Sequence, residues 1–163
     1  MIAELTKTIP VIVGALIAMA GGLAGTTLTH IFSWRRERRK LIQDKAEKLI
    51  EALYEHRDWV ARENSRLVFG LELPESPSPL DKAAAIQELY FPKAEPEFRK
   101  ITASMKDITA YCYKQAHARI SRNSEWISEF DGKEFHPMWQ EYLLAFHSAV
   151  NKIVKLTKDE TKT

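Results

Sequence analysis

The sequence predicts an all-α protein in which one N-terminal transmembrane helix continues into a cytoplasmic bundle of three main helices plus short helices. Three observations support this fold class. No Asp, Glu, Lys or Arg occurs from Thr8 through Trp34. After Ile42, apolar residues recur at steps of three and four, which is the period of a helix. No stretch alternates between apolar and polar residues for long enough to predict a strand.

The predicted transmembrane helix covers residues 9–34, and residues 1–8 form a short tail before it. A bilayer core needs about 20 mostly apolar residues in helical form. Pro10 is expected in the first helical turn, where a missing N–H costs little. A cleaved signal peptide is the alternative, with Ala18-Met19-Ala20 as its cleavage site. Against it, the apolar run continues past that site and ends in RRERRK, a stop-transfer pattern.

Basic residues set the predicted orientation of this helix. Lys7 precedes the span, whereas RRERRK places five cations in six positions directly after it. The positive-inside rule then predicts an external tail and a cytoplasmic domain of residues 35–163 at the inner (plasma) membrane. With a formal net charge of +2, nothing indicates nucleic acid as a partner. Contacts with lipid headgroups are expected from one aromatic ring and five cations, namely Trp34, Arg35, Arg36, Arg38, Arg39 and Lys40.

Small residues along the span predict a homo-oligomer. One face carries Gly14, Ala18, Gly21 and Gly25 at spacings of four, three and four, and Gly22 extends that surface. Gly21 and Gly25 form a GxxxG pair, which lets two helix backbones approach closely. The simpler interpretation is that glycine is common in membrane helices. His30 is interpreted as a neutral histidine near the inner interface, with a functional histidine at membrane depth as the alternative.

Proline and glycine divide the cytoplasmic part into helices. Gly70 is expected to end the first, Ser78 and Pro79 to start the second, and Phe91-Pro92 to end it. Residues 71–79 form a proline-rich loop, and residues 125–130 form a short helical turn. A polar, frayed tail is expected to follow the last helix. The predicted helices cover about residues 36–69, 79–90, 96–122 and 137–158.

Each long helix carries an apolar stripe that is expected to face the core. The first stripe includes one polar member, His56, and the second includes Cys112. The stripes are Ile42, Ala46, Leu49, Leu53, His56, Val60 and Leu67, with Ile50, Tyr54 and Trp59 beside them; Phe98, Ile101, Met105, Ile108, Cys112 and Gln115; and Trp139, Leu143, Phe146, Val150 and Ile153, with Tyr142 and Ala149 beside them.

The sequence contains no pattern that predicts catalysis, a cofactor or a metal ion. No two histidines have the spacing of a zinc site, and glycine-rich phosphate loops do not occur. Cys112, the single cysteine, is expected to be a buried, unreactive thiol. The many aromatic residues are interpreted as core, with a groove for a partner helix as the alternative.

A short tail, a glycine-rich span, a basic block and a helical domain together resemble the layout of small single-pass proteins of bacteria and phages. The resemblance concerns layout and carries no functional residues. The predicted function is a non-enzymatic, membrane-anchored interaction or scaffold module that holds a protein partner at the inner face. The alternative is a membrane-active effector or regulator, toxin-like or defence-type, whose bundle controls the span.

Overall fold

The computed structural model describes residues 2–72 and 76–162, apart from the side chains at 2–13, 15–17, 20, 23, 24, 26, 28, 123, 161 and 162. These residues form helices and no strand. The chain divides into two units, Met1–Leu41 and Ile42–Thr163. The helices are α1 (Ile2–Phe69), α2 (Leu80–Tyr90), α3 (Glu95–Ser121), α4 (Asn123–Glu129) and α5 (Phe135–Lys162), with 3₁₀ turns at Pro92–Ala94 and Gly132–Glu134.

The N-terminal unit consists of helical residues of α1, and its start differs from the prediction. The helix begins at Ile2, so Pro10 lies in its interior and not in the first turn. The placement of Pro10 at a helix start was therefore wrong. Because proline has no N–H, it cannot donate to the carbonyl four residues earlier in the helix.

The second unit is a helical bundle, as the apolar stripes predict. Its core draws on the Ile42–Phe69 part of α1 and on α2, α3 and α5, and α3 packs along α5. The largest fully buried side chains include members of all three predicted stripes: Leu49, Leu53, His56, Val60, Ile101, Ile108, Cys112, Tyr142, Phe146 and Ile153. The three-and-four spacing therefore identified the face that each helix turns toward the core.

Helix ends in the bundle follow the local chemistry of the sequence. Gly70 has φ +68°, the left-handed conformation that glycine adopts without steric cost, and it ends α1 as predicted. Ser78 Oγ accepts a hydrogen bond from the backbone N–H of Leu80 at 3.2 Å and so caps the start of α2. Phe91 follows the last residue of α2 and is buried. Of the predicted loop 71–79, residues 73–75 lie outside the described residues.

Several details depart from the predicted pattern. Tyr54 was expected to widen the core stripe but is exposed, although its ring forms a T-shaped contact with the buried Phe146 ring at a centre-to-centre distance of 5.0 Å. The break after α3 falls at Arg122, and α4 already begins at Asn123. Helix α5 extends to Lys162, four residues beyond the predicted end at residue 158, so it continues into the polar tail. The hydroxyl of Thr157 donates to the Ile153 carbonyl at 2.8 Å within this last stretch.

Candidate functional site

The predicted packing face of the N-terminal unit is open in the structure. Gly14, Ala18, Gly21, Gly22 and Gly25 are all exposed. Among the described residues, and apart from the helix's own backbone, a Cβ added to any of these four glycines would have no neighbour within 4 Å. The face therefore has room for another backbone to approach, which is the geometric requirement of a small-residue helix interface.

A shallow groove of about 560 Å³ runs along part of this face. It is lined by small and short polar residues, namely Gly21, Gly22, Gly25, Thr29, His30 and Ser33. The Thr29 hydroxyl donates to the Gly25 carbonyl at 2.8 Å, which satisfies the hydroxyl within its own helix. The groove thus places His30 beside the glycines, a juxtaposition that the linear pattern did not predict.

Large apolar side chains of the same unit are exposed. Met19, Phe32 and Trp34 have 62%, 64% and 59% of their surface accessible, and Ile31 is also exposed. Scattered apolar residues are normal on a protein surface. Here they occur on a segment that carries no formal charge from Thr8 through Trp34. Few charged groups on this segment are therefore available to hydrate its surface.

The predicted headgroup residues are also on the surface. All six are exposed, and the Arg38 guanidinium lies 5.9 Å from the centre of the Trp34 ring. This distance suits a cation–π contact. The block therefore presents several cations and one amphipathic ring together, a combination that can bind anionic headgroups at a lipid surface.

Considering only described residues, no helix combines the length and the hydropathy needed to cross a membrane. The predicted span depends on apolar side chains that lie outside the described residues: Ile9, Val11, Ile12, Val13, Leu16, Ile17, Leu23 and Leu28.

Inside the bundle, His56 is the centre of a polar and aromatic cluster. Its side chain is 1% exposed, and its Nδ1 lies 3.4 Å from Ser78 Oγ. The imidazole stacks on Trp59 with ring centres 5.7 Å apart and meets the Tyr142 ring edge-on at 5.9 Å. His56 Nε2 and the Tyr142 hydroxyl are buried without a hydrogen-bond partner among the described residues.

Burial determines the charge state of His56. It lowers the pKa of the imidazole to about 4, because the charged form would lose its hydration, and the nearby charge of Asp81 opposes this only in part. His56 is therefore neutral at physiological pH. An imidazole closed off from solvent cannot exchange protons with a substrate while the bundle stays folded, so the geometry favours a packing role.

Cys112 lies at the back of a small cleft between α1 and α3. Its Sγ is 3.5 Å from the Asn64 side-chain oxygen, and burial raises the pKa of the thiol to about 11, aided by the charge of Glu63. The thiolate that nucleophilic chemistry needs is thus scarce at neutral pH. The cleft encloses about 180 Å³, less than the roughly 300–1,000 Å³ of typical small-molecule pockets. The prediction that Cys112 is buried is confirmed.

Within the described ranges, no group of three or more His, Cys, Asp or Glu side chains is arranged to hold a metal ion. An apolar surface that sequence reasoning missed is a groove between α2 and α3, which we call the α2–α3 groove. It has a volume of about 890 Å³ and is lined by Leu80, Ala84, Gln87, Glu95, Phe98, Arg99, Thr102, Ala103, Met105, Lys106, Thr109, Ala110 and Tyr113. Its signal in the sequence is the seven-residue spacing of Thr102-Ala103 and Thr109-Ala110.

Comparison of the chain with models of protein families, with curated proteins and with solved structures finds no match. The function is therefore inferred from the residues and their geometry.

Proposed function

We propose that this protein is a single-pass, membrane-anchored helical interaction module that holds a protein partner at the inner face of the plasma membrane. The observation that carries the proposal is the charge-free run from Thr8 through Trp34, which ends at RRERRK. A helix of that length spans the hydrocarbon core, and the cations after it stop translocation. The N-terminus then lies outside and the bundle lies in the cytoplasm.

Exposed side chains near the basic block support this assignment. Phe32 and Trp34 are exposed directly before Arg35 and Arg36. Aromatic rings favour the headgroup level of a bilayer, and cations beside them bind anionic lipids at about 1 kcal/mol per residue. A membrane interface at this level would cover the exposed rings of Phe32 and Trp34 while the cations remain among the headgroups.

The open glycine face supports association of the span with itself. Lipid tails are as apolar as leucine, so helices in a bilayer associate through close packing and not through hydrophobic burial. Gly21 and Gly25 leave space for such contact, since an added Cβ at either position meets no described residue outside the backbone of its own helix. The proposed module is therefore a homo-oligomer in the membrane.

The proposed module carries out no catalytic step. His56 is neutral and enclosed, and the pKa of the Cys112 thiol is raised to about 11. Both groups contribute to packing in the bundle. The remaining surface of the bundle is then available for a partner protein.

Topology reporters test the anchor and its orientation. A reporter active only in the cytoplasm, fused after Thr163, should be active, and one that requires export should be inactive. The protein should stay in the membrane fraction after alkaline carbonate extraction.

Replacing the five cations of RRERRK with acidic residues should invert or scramble the topology, whereas the same number of replacements among exposed lysines of the bundle should not. Release by carbonate would refute the anchor, and reversed reporter activities would refute the orientation. Entry of a membrane-impermeant dye into expressing cells would contradict a passive anchor and favour a membrane-active effector.

A further inference from the structure

We propose that the α2–α3 groove binds an amphipathic helix of a partner protein, and that this helix carries a carboxylate near the middle of its bound length. The proposal deepens the function above by naming the chemistry of the partner. It rests on that function only in assuming that the bundle holds another protein, and not on the membrane anchor.

The lining of the groove is apolar although it contains several polar residues. The Thr102 and Thr109 hydroxyls donate to the carbonyls of Phe98 and Met105 at 3.1 Å and 2.8 Å, so their methyl groups remain for contact. The buried Gln87 amide donates to the Phe91 carbonyl at 3.1 Å. Because these polar groups are satisfied within the protein, the groove offers a polar small molecule few unused hydrogen bonds. It suits an apolar surface instead.

The length and the surface shape of the α2–α3 groove fit a partner helix. The α3 side of the groove runs from Glu95 to Tyr113, which corresponds to about 27 Å at 1.5 Å per residue. A partner helix of about 18 residues would cover that distance. Ala103 and Ala110 are exposed and small, two helical turns apart, and leave hollows into which side chains of a facing helix can insert. Leu80, Phe98, Met105 and Tyr113 supply bulkier apolar contacts around them.

The charges of the groove select for an acidic group. Its charged lining residues are Glu95, Arg99 and Lys106. Arg99 Nη2 pairs with Glu95 Oε1 at 2.6 Å, so these two charges offset each other. Lys106 is exposed and forms no ion pair with any residue that the structure describes. One uncompensated cation therefore lies near the middle of an apolar groove, and a carboxylate on the ligand would complement it.

A second copy of the chain is a poorer occupant than a partner helix. A two-fold interface uses the same surface on both subunits. Lys106 lies near the middle of the Glu95–Tyr113 stretch, so two copies packed through this groove would bring two Lys106 ammonium groups toward each other. Like charges at an interface oppose association.

The test uses designed peptides and the full chain in phosphatidylcholine nanodiscs. Two fluorescent helical peptides of about 18 residues share a leucine–alanine face and differ in one central flanking residue, which is Glu in one and Lys in the other. Binding is followed by fluorescence anisotropy, with empty nanodiscs as the control for partition into lipid. The Glu peptide should bind roughly fivefold more tightly than the Lys peptide, the scale of a partly exposed ion pair.

Two substitutions in the groove have matched controls outside it. Lys106→Glu should reverse the preference between the two peptides, whereas Lys100→Glu, at an exposed α3 position outside the lining, should preserve it. Ala103→Trp should fill a hollow and weaken binding of both peptides by about tenfold or more, and Ala61→Trp should not. Circular dichroism would reveal whether Ala103→Trp disturbs folding. In that case Lys106→Glu, a charge reversal at an exposed site, still tests the proposal.

Three results would overturn the proposal: equal affinities for the two peptides, an unchanged preference in Lys106→Glu, or unchanged binding in a folded Ala103→Trp variant. Loss of oligomers in Ala103→Trp, measured by analytical ultracentrifugation, would assign the groove to a second copy and refute the partner helix. If carbonate releases the protein from the membrane but the protein still binds the peptide, the groove is upheld and the anchor is refuted. Stable insertion without peptide binding would refute the groove and leave the anchor in place.

Discussion

At the scale of single residues, His56 makes stability depend on pH. Its pKa is lowered from 6.5 to about 4 in the folded protein, so the unfolded chain binds a proton more readily. Stability from this group is fully present above pH 6.5 and is lost as the pH falls from 6.5 to about 4, by up to ~3 kcal/mol.

We expect the urea midpoint of the wild type to decrease as the pH is lowered across this window. Tryptophan fluorescence is used to follow the unfolding. In His56→Leu the fall should be smaller. Asp44 and Asp131, whose pKa values are lowered from 3.8 by lysine neighbours, lose their contribution mainly below this window. Parallel pH profiles in the two proteins would show that His56 is not enclosed as the structure describes.

Truncation of Phe146, an aromatic residue of α5, should strongly destabilise the bundle. Phe146 is fully buried, and the Tyr54 ring meets it edge-on with centres 5.0 Å apart. Phe146→Ala should lower the free energy of unfolding by roughly 3–5 kcal/mol, since it removes a buried ring and leaves a cavity. Leu144→Ala, on the same helix but at a 71% exposed position, should change it by no more than about 0.5 kcal/mol. Chemical denaturation measures both, and similar effects at the two sites would contradict the assignment of Phe146 to the core.

At the scale of elements, the glycine face of α1 permits a test of association separate from folding. In the double variant Gly21→Ile and Gly25→Ile, the new Cβ atoms have no neighbour within 4 Å among the described residues beyond the backbone of their own helix. The helix should therefore persist while close approach of a second helix is blocked. Cross-linked oligomers in native membranes should disappear, and membrane insertion should continue.

The matched control places the same side chains on the opposite face. Met19→Ile and Thr27→Ile lie two residues from the changed glycines, which is about half a helical turn away. This pair should leave cross-linking intact. If the glycine double variant cross-links like the wild type, the interface lies elsewhere, and the Ile42 stripe would be the next candidate.

At the scale of the whole molecule, the second unit contains its own core. Every buried hydrophobic residue of the cluster lies between Ala46 and Ile153, inside the Ile42–Thr163 unit. A fragment of residues 40–163 should therefore be soluble, mostly helical by circular dichroism, and cooperative on heating. Helices of this length are marginal in isolation, so cooperativity would indicate tertiary packing. Aggregation of the fragment would instead mean that the bundle completes its core with another chain.

Local chemistry allowed much of this fold to be predicted. Helical period identified the core faces because each face must be buried by a packed neighbour. Gly70 and Phe91-Pro92 marked helix ends because their backbones cannot continue a helix without cost. The start of α1 was missed because Pro10 has the same φ at a helix start and in a helix interior, and its neighbours carry no other boundary signal.

Local patterns in the chain specified the all-helical class, the three core stripes, the helix ends at Gly70 and Phe91, and the charge-free run followed by RRERRK that motivates the anchor. The surroundings of individual side chains depended on how the helices pack. His56 loses its hydration because Ser78 and Tyr142, which are distant in sequence, pack against it together with Trp59 of its own helix. The α2–α3 groove likewise exists because two helices pack with Ala103 and Ala110 left uncovered between bulkier neighbours. Periodicity records which face of a helix is apolar, but a cavity and a pKa depend on what lies opposite that face, and that is fixed only when the helices pack.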